Sequence, residues 1–229
     1  MSDPRLQNLL RWGIENSEAS RATTHADDGA APSISNDTQP TTEAQPRTQL
    51  TPEVLSALLG GPSDADLMRE SMTALHNPEV DLSAKLTAFD NFHDLIEQID
   101  NANNIGPLQL WEPLIKLLSA DEPQLRAGAA ASVGAAVENN IKGQQTVCEQ
   151  GVLPKLVGLA KDDTDEQVRK KAIGALSKGI RNYQSGLDQV VQTLGDERWI
   201  GRGLKAGEMS DCDEVIDDLR KQSKQKASA

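Results

Sequence analysis

The side chains that most often carry out catalysis are few in this chain and are not grouped. The three histidines lie in separate segments, and none has the spacing that binds zinc or iron. The glycine-rich stretch 201–207 follows no strand pattern, so it does not indicate a phosphate-binding loop. Neighbouring acids such as Asp162 and Asp163 stand before helices, where carboxylates act as caps. The sequence therefore predicts a protein that is not an enzyme and holds no metal or cofactor.

Polar side chains suited to protein binding recur at corresponding positions instead. Asn139 and Asn182 stand 43 residues apart, each directly after a charged residue, Glu138 or Arg181. An amide side chain both donates and accepts hydrogen bonds, so such a row could bind the backbone of a partner protein. The same asparagines could instead end helices in the left-handed conformation, which needs no partner. Both interpretations remain open from the sequence.

A repeat of about 42 residues must position this row. Four columns of residues recur with one register, and within each repeat they follow the i, i+3, i+7, i+11 spacing of one helix face. Aromatic residues make up only 3% of the chain, which favours an aliphatic, helical core. The sequence therefore predicts an all-α protein, an armadillo-like right-handed solenoid. The columns are Lys85, Arg126 and Arg169; Ala88, Ala129 and Ala172; Phe92, Val133 and Leu176; and Ile96, Val137 and Ile180.

The repeat sets the domain organisation. Four glycines inside the repeat helices indicate either close helix packing or the approach of a ligand backbone; they are Gly128, Gly134, Gly174 and Gly179. We expect a mobile loop at 195–207. The predicted segments are a tethered amphipathic segment (1–20), a disordered linker (21–50), N-terminal capping helices (51–81), armadillo repeats (82–194, divided as 82–121, 122–164 and 165–194), and a glycine-rich loop with a C-terminal capping helix (195–229).

Charge and composition exclude several classes of partner. The formal net charge is −12, and residues 51–100 carry ten acids against two bases, so nucleic acid is not expected as a partner. No apolar stretch indicates a signal peptide or a membrane span, and the two cysteines, Cys148 and Cys212, suit a reducing compartment. We therefore expect a cytoplasmic protein that binds no membrane.

Several segments resemble one known family. The stretches 77–82, 88–92, 95–97, 100–104 and 110–114 closely resemble the armadillo nucleotide exchange factors of 70-kDa heat-shock chaperones, in particular the fungal cytosolic Fes-type branch. The resemblance implies that a concave face binds the ATPase domain of the chaperone, as a monomer in a one-to-one complex, and accelerates ADP release. The contact residues it implies are Asp90, Asn91, Glu97, Asp100, Asn101, Asn104, Glu138, Asn139, Asn140, Arg181 and Asn182.

The N-terminal segment has a separate implied role. In this family a tethered segment assists substrate release by occupying the substrate site of the chaperone, and the apolar residues that match are Leu9, Leu10, Trp12 and Ile14. Docking of this segment on its own solenoid remains an alternative. A second function class also stays open, because a passive armadillo adaptor that binds a peptide or scaffold partner would share the repeat pattern.

Overall fold

A computed structural model describes residues 60–227 of the chain. The chain divides after Ser63 into two units, and within the described range all helices belong to the second, Asp64–Ala229, which contains no strand there. The expected tethered segment, linker and first capping helix lie outside the described residues. The helices are α1 (Asp64–His76), α2 (Leu82–Ile96), α3 (Ile99–Asn104), α4 (Trp111–Leu117), α5 (Pro123–Val137), α6 (Ile141–Glu149), α7 (Val152–Asp162), α8 (Glu166–Ile180), α9 (Gln184–Leu194) and α10 (Met209–Ala227).

Local sequence signals set the first two helices. The inward residues of α1, namely Met68, Met72 and Leu75, are at most 3% exposed, as their spacing predicts. Asp81 is the N-cap of α2, and its Oδ1 accepts the backbone N–H of Ala84 at 2.9 Å. That bond pairs one of the first backbone donors of the helix, which have no partner within the helix itself.

The three long helices α2, α5 and α8 form the repeated layer. Each has 15 residues, and α5 packs against both of the others. Shorter helices follow each long one and join the same continuous apolar cluster. The three apolar columns of the repeat are buried throughout, at most 8% exposed. The predicted all-helical layered solenoid is therefore confirmed in the described part of the chain.

Three of the four repeat-helix glycines lie where a neighbouring helix approaches closely. A Cβ on Gly128 would lie 2.8 Å from the ring of Phe89, and a Cβ on Gly134 would lie 3.2 Å from the Cα of Ala175. Either side chain would force α5 away from its neighbours. Gly174 differs, because the space above it is open. A Cβ on Gly179 would lie 3.1 Å from Cδ2 of Leu153, so close packing accounts for three of the four glycines and leaves Gly174 unexplained.

Arg126, the second residue of the first repeat column, joins its layer to the turn before it and to the layer after it. Arg126 donates from Nη1 to the carbonyl oxygens of Ala120 and Asp121, both at 2.8 Å. The guanidinium also makes a bidentate ion pair with Asp163: Nε donates to Oδ2 at 2.7 Å and Nη2 donates to Oδ1 at 2.9 Å. The Asp163 side chain is only 5% exposed, so this carboxylate is an interlayer partner.

Arg169 repeats the same arrangement one layer later. Its Nη1 donates to the carbonyl oxygens of Asp163 and Thr164, at 2.9 and 3.1 Å. Its Nε donates to Oγ of Ser223 in α10 at 3.0 Å. The side chain is almost fully buried, at 2% exposed. Arg169 therefore binds the capping helix α10, whereas Arg126 binds the next repeat.

The stretch 195–207, which the sequence predicts to be a mobile loop, contacts its neighbours through a few of its side chains. Trp199 is 7% exposed, and the guanidinium groups of Arg198 and Arg202 lie 5.3 and 5.6 Å from its ring centroid. Arg198 also forms an ion pair with Asp218 of α10 at 2.8 Å. The glycines allow the turns, while the tryptophan and the ion pair attach the loop to its neighbours.

Candidate functional site

The structure brings the paired polar residues of the second and third repeats into one groove. Glu138 and Asn139 follow α5, Arg181 and Asn182 follow α8, and the two turns line a cavity of about 220 Å³. The remaining lining residues are Ile141, Gln144 and Lys178. This paired-turn groove is the candidate binding site.

The backbone of both turns has the left-handed conformation. Asn139 has φ 51° and Asn182 has φ 58°, values that asparagine tolerates better than most residues. Both residues are exposed, and within residues 60–227 neither side-chain amide has a hydrogen-bond partner. Helix termination and partner binding by these asparagines are therefore compatible, because the backbone of each residue ends a helix while its side-chain amide remains available to a partner.

Gln144 forms the floor of the groove and was not singled out in the sequence. The side chain lies in α6 and is 2% exposed, and its Nε2 donates to the carbonyl oxygens of Lys178 and Arg181, both at 2.9 Å. Those carbonyls belong to the end of α8, so the glutamine of one layer supplies donors to the helix end of the next. Its only signal in the sequence is a polar residue on the inward face of α6, three residues before the buried Val147.

Charged groups around the groove are already engaged. Lys178 Nζ lies 2.7 Å from Oε2 of Glu138, and this ion pair spans the two turns. The guanidinium of Arg181 forms an ion pair with Asp213 of α10 and donates to Oγ of Ser177 at 3.2 Å. Arg181 therefore holds the turn in place, and the amides of the groove are the groups left for a partner.

Two of the implied contact residues are used inside the protein. Asn101 is 6% exposed and donates to Oδ2 of Asp64 at 2.8 Å and to the carbonyl oxygen of Leu95 at 3.0 Å. Asn140 is 4% exposed, donates to the carbonyl oxygen of Ala136 at 3.0 Å and caps α6. Their side chains do not face a partner, and we correct the sequence assignment for both.

The other implied contact residues are exposed on α2, α3 and the turn between them, away from the paired-turn groove. Asn91 lines a separate, larger groove of about 770 Å³ between α1 and α2, beside Glu70 and Asp94. The exposed group comprises Asp90, Asn91, Glu97, Asp100 and Asn104. The structure therefore divides the predicted surface into an acidic group on the first repeat and an amide-lined groove between the second and third. Leu9, Leu10, Trp12 and Ile14 lie outside the described residues.

No group of three or more His, Cys, Asp or Glu side chains within residues 60–227 is placed to hold a metal ion. No helix in that range is long and apolar enough to cross a membrane. An all-helical stack of repeated layers with a polar groove between layer ends is a helical-repeat binding protein.

Comparison with known proteins identifies the family. Residues 68–195 match the SIL1/FES1/HPBP1 C-terminal domain, and residues 6–105 match the family described as nucleotide exchange factor Fes1. The chain belongs to this family, as its sequence resemblance indicates.

Curated relatives are similar over most of their length. The chain is 46% identical over 224 residues to the Hsp70 nucleotide exchange factor FES1 of Gibberella zeae, covering 96% of this chain and 97% of the relative. The protein of the same description from Neurospora crassa is 41% identical, with 97% and 99% covered. That from Saccharomyces cerevisiae is 39% identical, with 83% and 64% covered.

A solved structure supports the fold alone. The crystal structure of an engineered protein from the Northeast Structural Genomics Consortium matches with a TM-score of 0.52 and 18% identity. The match covers 76% of this chain and 71% of that one.

Proposed function

We propose that this chain is a nucleotide exchange factor for a cytosolic 70-kDa heat-shock chaperone, Hsp70, and that it is a binding protein without catalytic residues. The observation that carries the proposal is membership of the exchange-factor family across most of the chain. The partner is the ATPase domain of the chaperone, bound by a monomer of this chain in a one-to-one complex, with no nucleic acid, membrane or cofactor involved. Its effect is to accelerate ADP release, after which ATP binds and substrate leaves.

The mechanism needs only differential binding. A protein that binds the open form of the ATPase domain more tightly than the closed, ADP-bound form weakens ADP binding by the same factor. A surface that holds an open domain must itself be rigid, because any ordering of the surface on binding reduces the affinity. The interlayer arginines and the turns fixed by Gln144 supply that rigidity.

The contact surface that we propose is narrower than the sequence implies. Its centre is the paired-turn groove, with the amides of Asn139 and Asn182 as contacts and the Glu138–Lys178 ion pair beside them. The exposed acidic group on α2 and α3 is a second contact region. The apolar residues Leu9, Leu10, Trp12 and Ile14 are proposed to occupy the substrate site of the chaperone.

The test measures release of a fluorescent ADP analogue from the chaperone after excess ATP is added. The full-length chain should accelerate release at micromolar concentration. Replacing both Asn139 and Asn182 by glycine allows the left-handed backbone without strain and removes the amides. Two lost hydrogen bonds of about 1 kcal/mol each predict a half-saturating concentration raised about tenfold to thirtyfold.

Gln109 offers a matched control. It is also exposed and left-handed, with φ 58°, and does not line the groove, so Gln109→Gly should leave exchange unchanged. Normal exchange by the double asparagine variant would refute the assignment of the groove. No acceleration by the wild-type chain would refute the function and leave the alternative, a passive adaptor that binds a peptide or scaffold partner.

A further inference from the structure

The turn after α8 is bonded to a segment near the C-terminus as well as to its own helix. The backbone N–H of Asn182 donates to the carbonyl oxygen of Ala206 at 2.8 Å. Two residues later, Oε1 of Gln184 accepts the N–H of Ala206 at 2.9 Å, and its Nε2 donates to the carbonyl oxygen of Leu204 at 3.0 Å. One side chain thus pairs with the backbone on both sides of residue 205, as a neighbouring strand would.

A second attachment lies on the other side of the turn. The guanidinium of Arg181 bonds to the carboxylate of Asp213 and to Sδ of Met209, both in α10. The Sγ of Cys212, whose side chain is fully buried, lies 3.6 Å from the carbonyl oxygen of Ala206 and joins the helix to the same backbone. The turn is therefore held by the segment 204–213 through both its backbone and its charged side chain.

The segment is itself well anchored. Leu204 is 9% exposed and Ala206 is 2% exposed. The N–H of Lys205 donates to Oδ2 of Asp211 at 2.9 Å, which fixes the entry into α10. Because Leu204 and Ala206 are packed and the segment continues into α10, it can impose a conformation on the turn that it contacts.

We propose that residues 204–213 are a positioning element of the chaperone-binding groove. Asparagine tolerates the left-handed conformation better than most residues but also adopts others, so the surrounding bonds fix the turn in this one. With those bonds, Asn182 presents its amide beside Asn139 before the partner arrives. Without them, Asn182 samples other conformations, and binding must restore the turn, so affinity falls. This inference rests on the proposed function of the groove.

The test replaces Gln184 by methionine in the full-length chain. Methionine preserves the length of the side chain and removes its hydrogen bonds to the segment. We expect the half-saturating concentration for ADP release to rise about tenfold, while the maximal release rate at saturation stays as in the wild type, because a bound partner holds the turn in place. Hydrogen exchange at the amides of Asn182 and Ala206 should accelerate in the same variant.

Gln192→Met is the matched control, since Gln192 is exposed, lies on the same helix and forms no bond to the segment. Assays run where circular dichroism shows each variant fully folded, so a loss of folded protein does not imitate weaker binding. A second variant, Asp213→Asn, removes the ion pair of Arg181 and should shift the half-saturating concentration in the same direction.

The outcomes separate the two proposals. If the double asparagine variant is impaired and both Gln184→Met and Asp213→Asn behave as wild type, the positioning role is wrong and the groove assignment stands. If the asparagine variant exchanges nucleotide normally, the groove assignment is wrong. A fall in maximal rate at unchanged half-saturating concentration would also overturn the positioning role.

Discussion

Removal of Arg126 should destabilise the solenoid far more than removal of a surface arginine. In Arg126→Met, the Asp163 carboxylate, only 5% exposed, loses both bonds of its bidentate ion pair, and the carbonyls of Ala120 and Asp121 lose their donor. Leaving one partner of a buried pair without the other costs about 3–5 kcal/mol. For a unit of this size that corresponds to a fall in Tm of about 6–20 °C.

The pH dependence of this loss has a definite sign. Burial tends to raise the pKa of the Asp163 carboxyl, but the hydrogen bonds and charge of Arg126, the N–H of Asp165 and the charge of Arg169 together hold that pKa below its ordinary value. In the wild type, this contribution is present above the unfolded-state pKa and is lost as the pH falls through the lowered folded-state pKa. In Arg126→Met the N–H of Asp165 and the charge of Arg169 still lower the pKa of Asp163, but the contribution of Arg126 is lost. We therefore expect a higher pKa than in the wild type, and protonation relieves the buried charge as the pH falls. The stability deficit of the variant should therefore be larger at pH 7 than at pH 4.

The assay is urea unfolding followed by far-UV circular dichroism at both pH values. Arg69→Met is the control, because the Arg69–Asp66 pair is more than half exposed and should contribute at most about 1 kcal/mol. Adding Asp163→Asn to Arg126→Met should recover part of the stability at pH 7, since a neutral amide replaces an unpaired charge. A deficit below about 1 kcal/mol, or one that is the same at both pH values, would refute the reasoning.

Two further predictions concern other parts of the chain. Gly174→Ala should raise the free energy of unfolding by about 1 kcal/mol because the space around this residue is open. Gly128→Ala should lower the free energy of unfolding because its Cβ would lie 2.8 Å from the ring of Phe89; urea unfolding of both variants tests this, and equal effects would contradict it. Serine in place of Leu9, Leu10, Trp12 and Ile14 should leave ADP release unchanged and slow the release of a chaperone-bound peptide. If ADP release also fell, the assignment of nucleotide exchange to the helical repeats would be wrong.

Local patterns were sufficient to predict the helices and their register. The start of α2 follows from one capping aspartate, Asp81, and the inner stripe of each long helix follows from helical spacing. The recurrence of arginine at Arg126 and Arg169 marks equivalent positions, and the structure adds their shared role as interlayer donors. Register is predictable because each repeat buries the same face against its neighbours.

Features that depend on distant partners could not be predicted in this way. Gln144 bonds to carbonyls 34 and 37 residues away, so nothing near it in the chain marks its role. The glycines near Trp199 predict a flexible loop because they are visible in the local sequence. The ion pair that attaches the loop joins Arg198 to Asp218, 20 residues away. The exposed Asn139 and the buried Asn140 are adjacent and chemically identical, and only the direction of each side chain separates a proposed contact residue from a structural one.

The contact between Arg169 and Ser223 also bears on how the stack of repeats is terminated. A repeat array with an open last layer can accept a further layer, including one from another copy of the same chain. Here α10 occupies that place, offering a neutral hydroxyl to Arg169 where a further repeat would offer a carboxylate like that of Asp163. Exposed charged residues of α10 make the end of the array a surface that disfavours stacking of another apolar layer; they include Glu214, Asp217, Arg220 and Lys221.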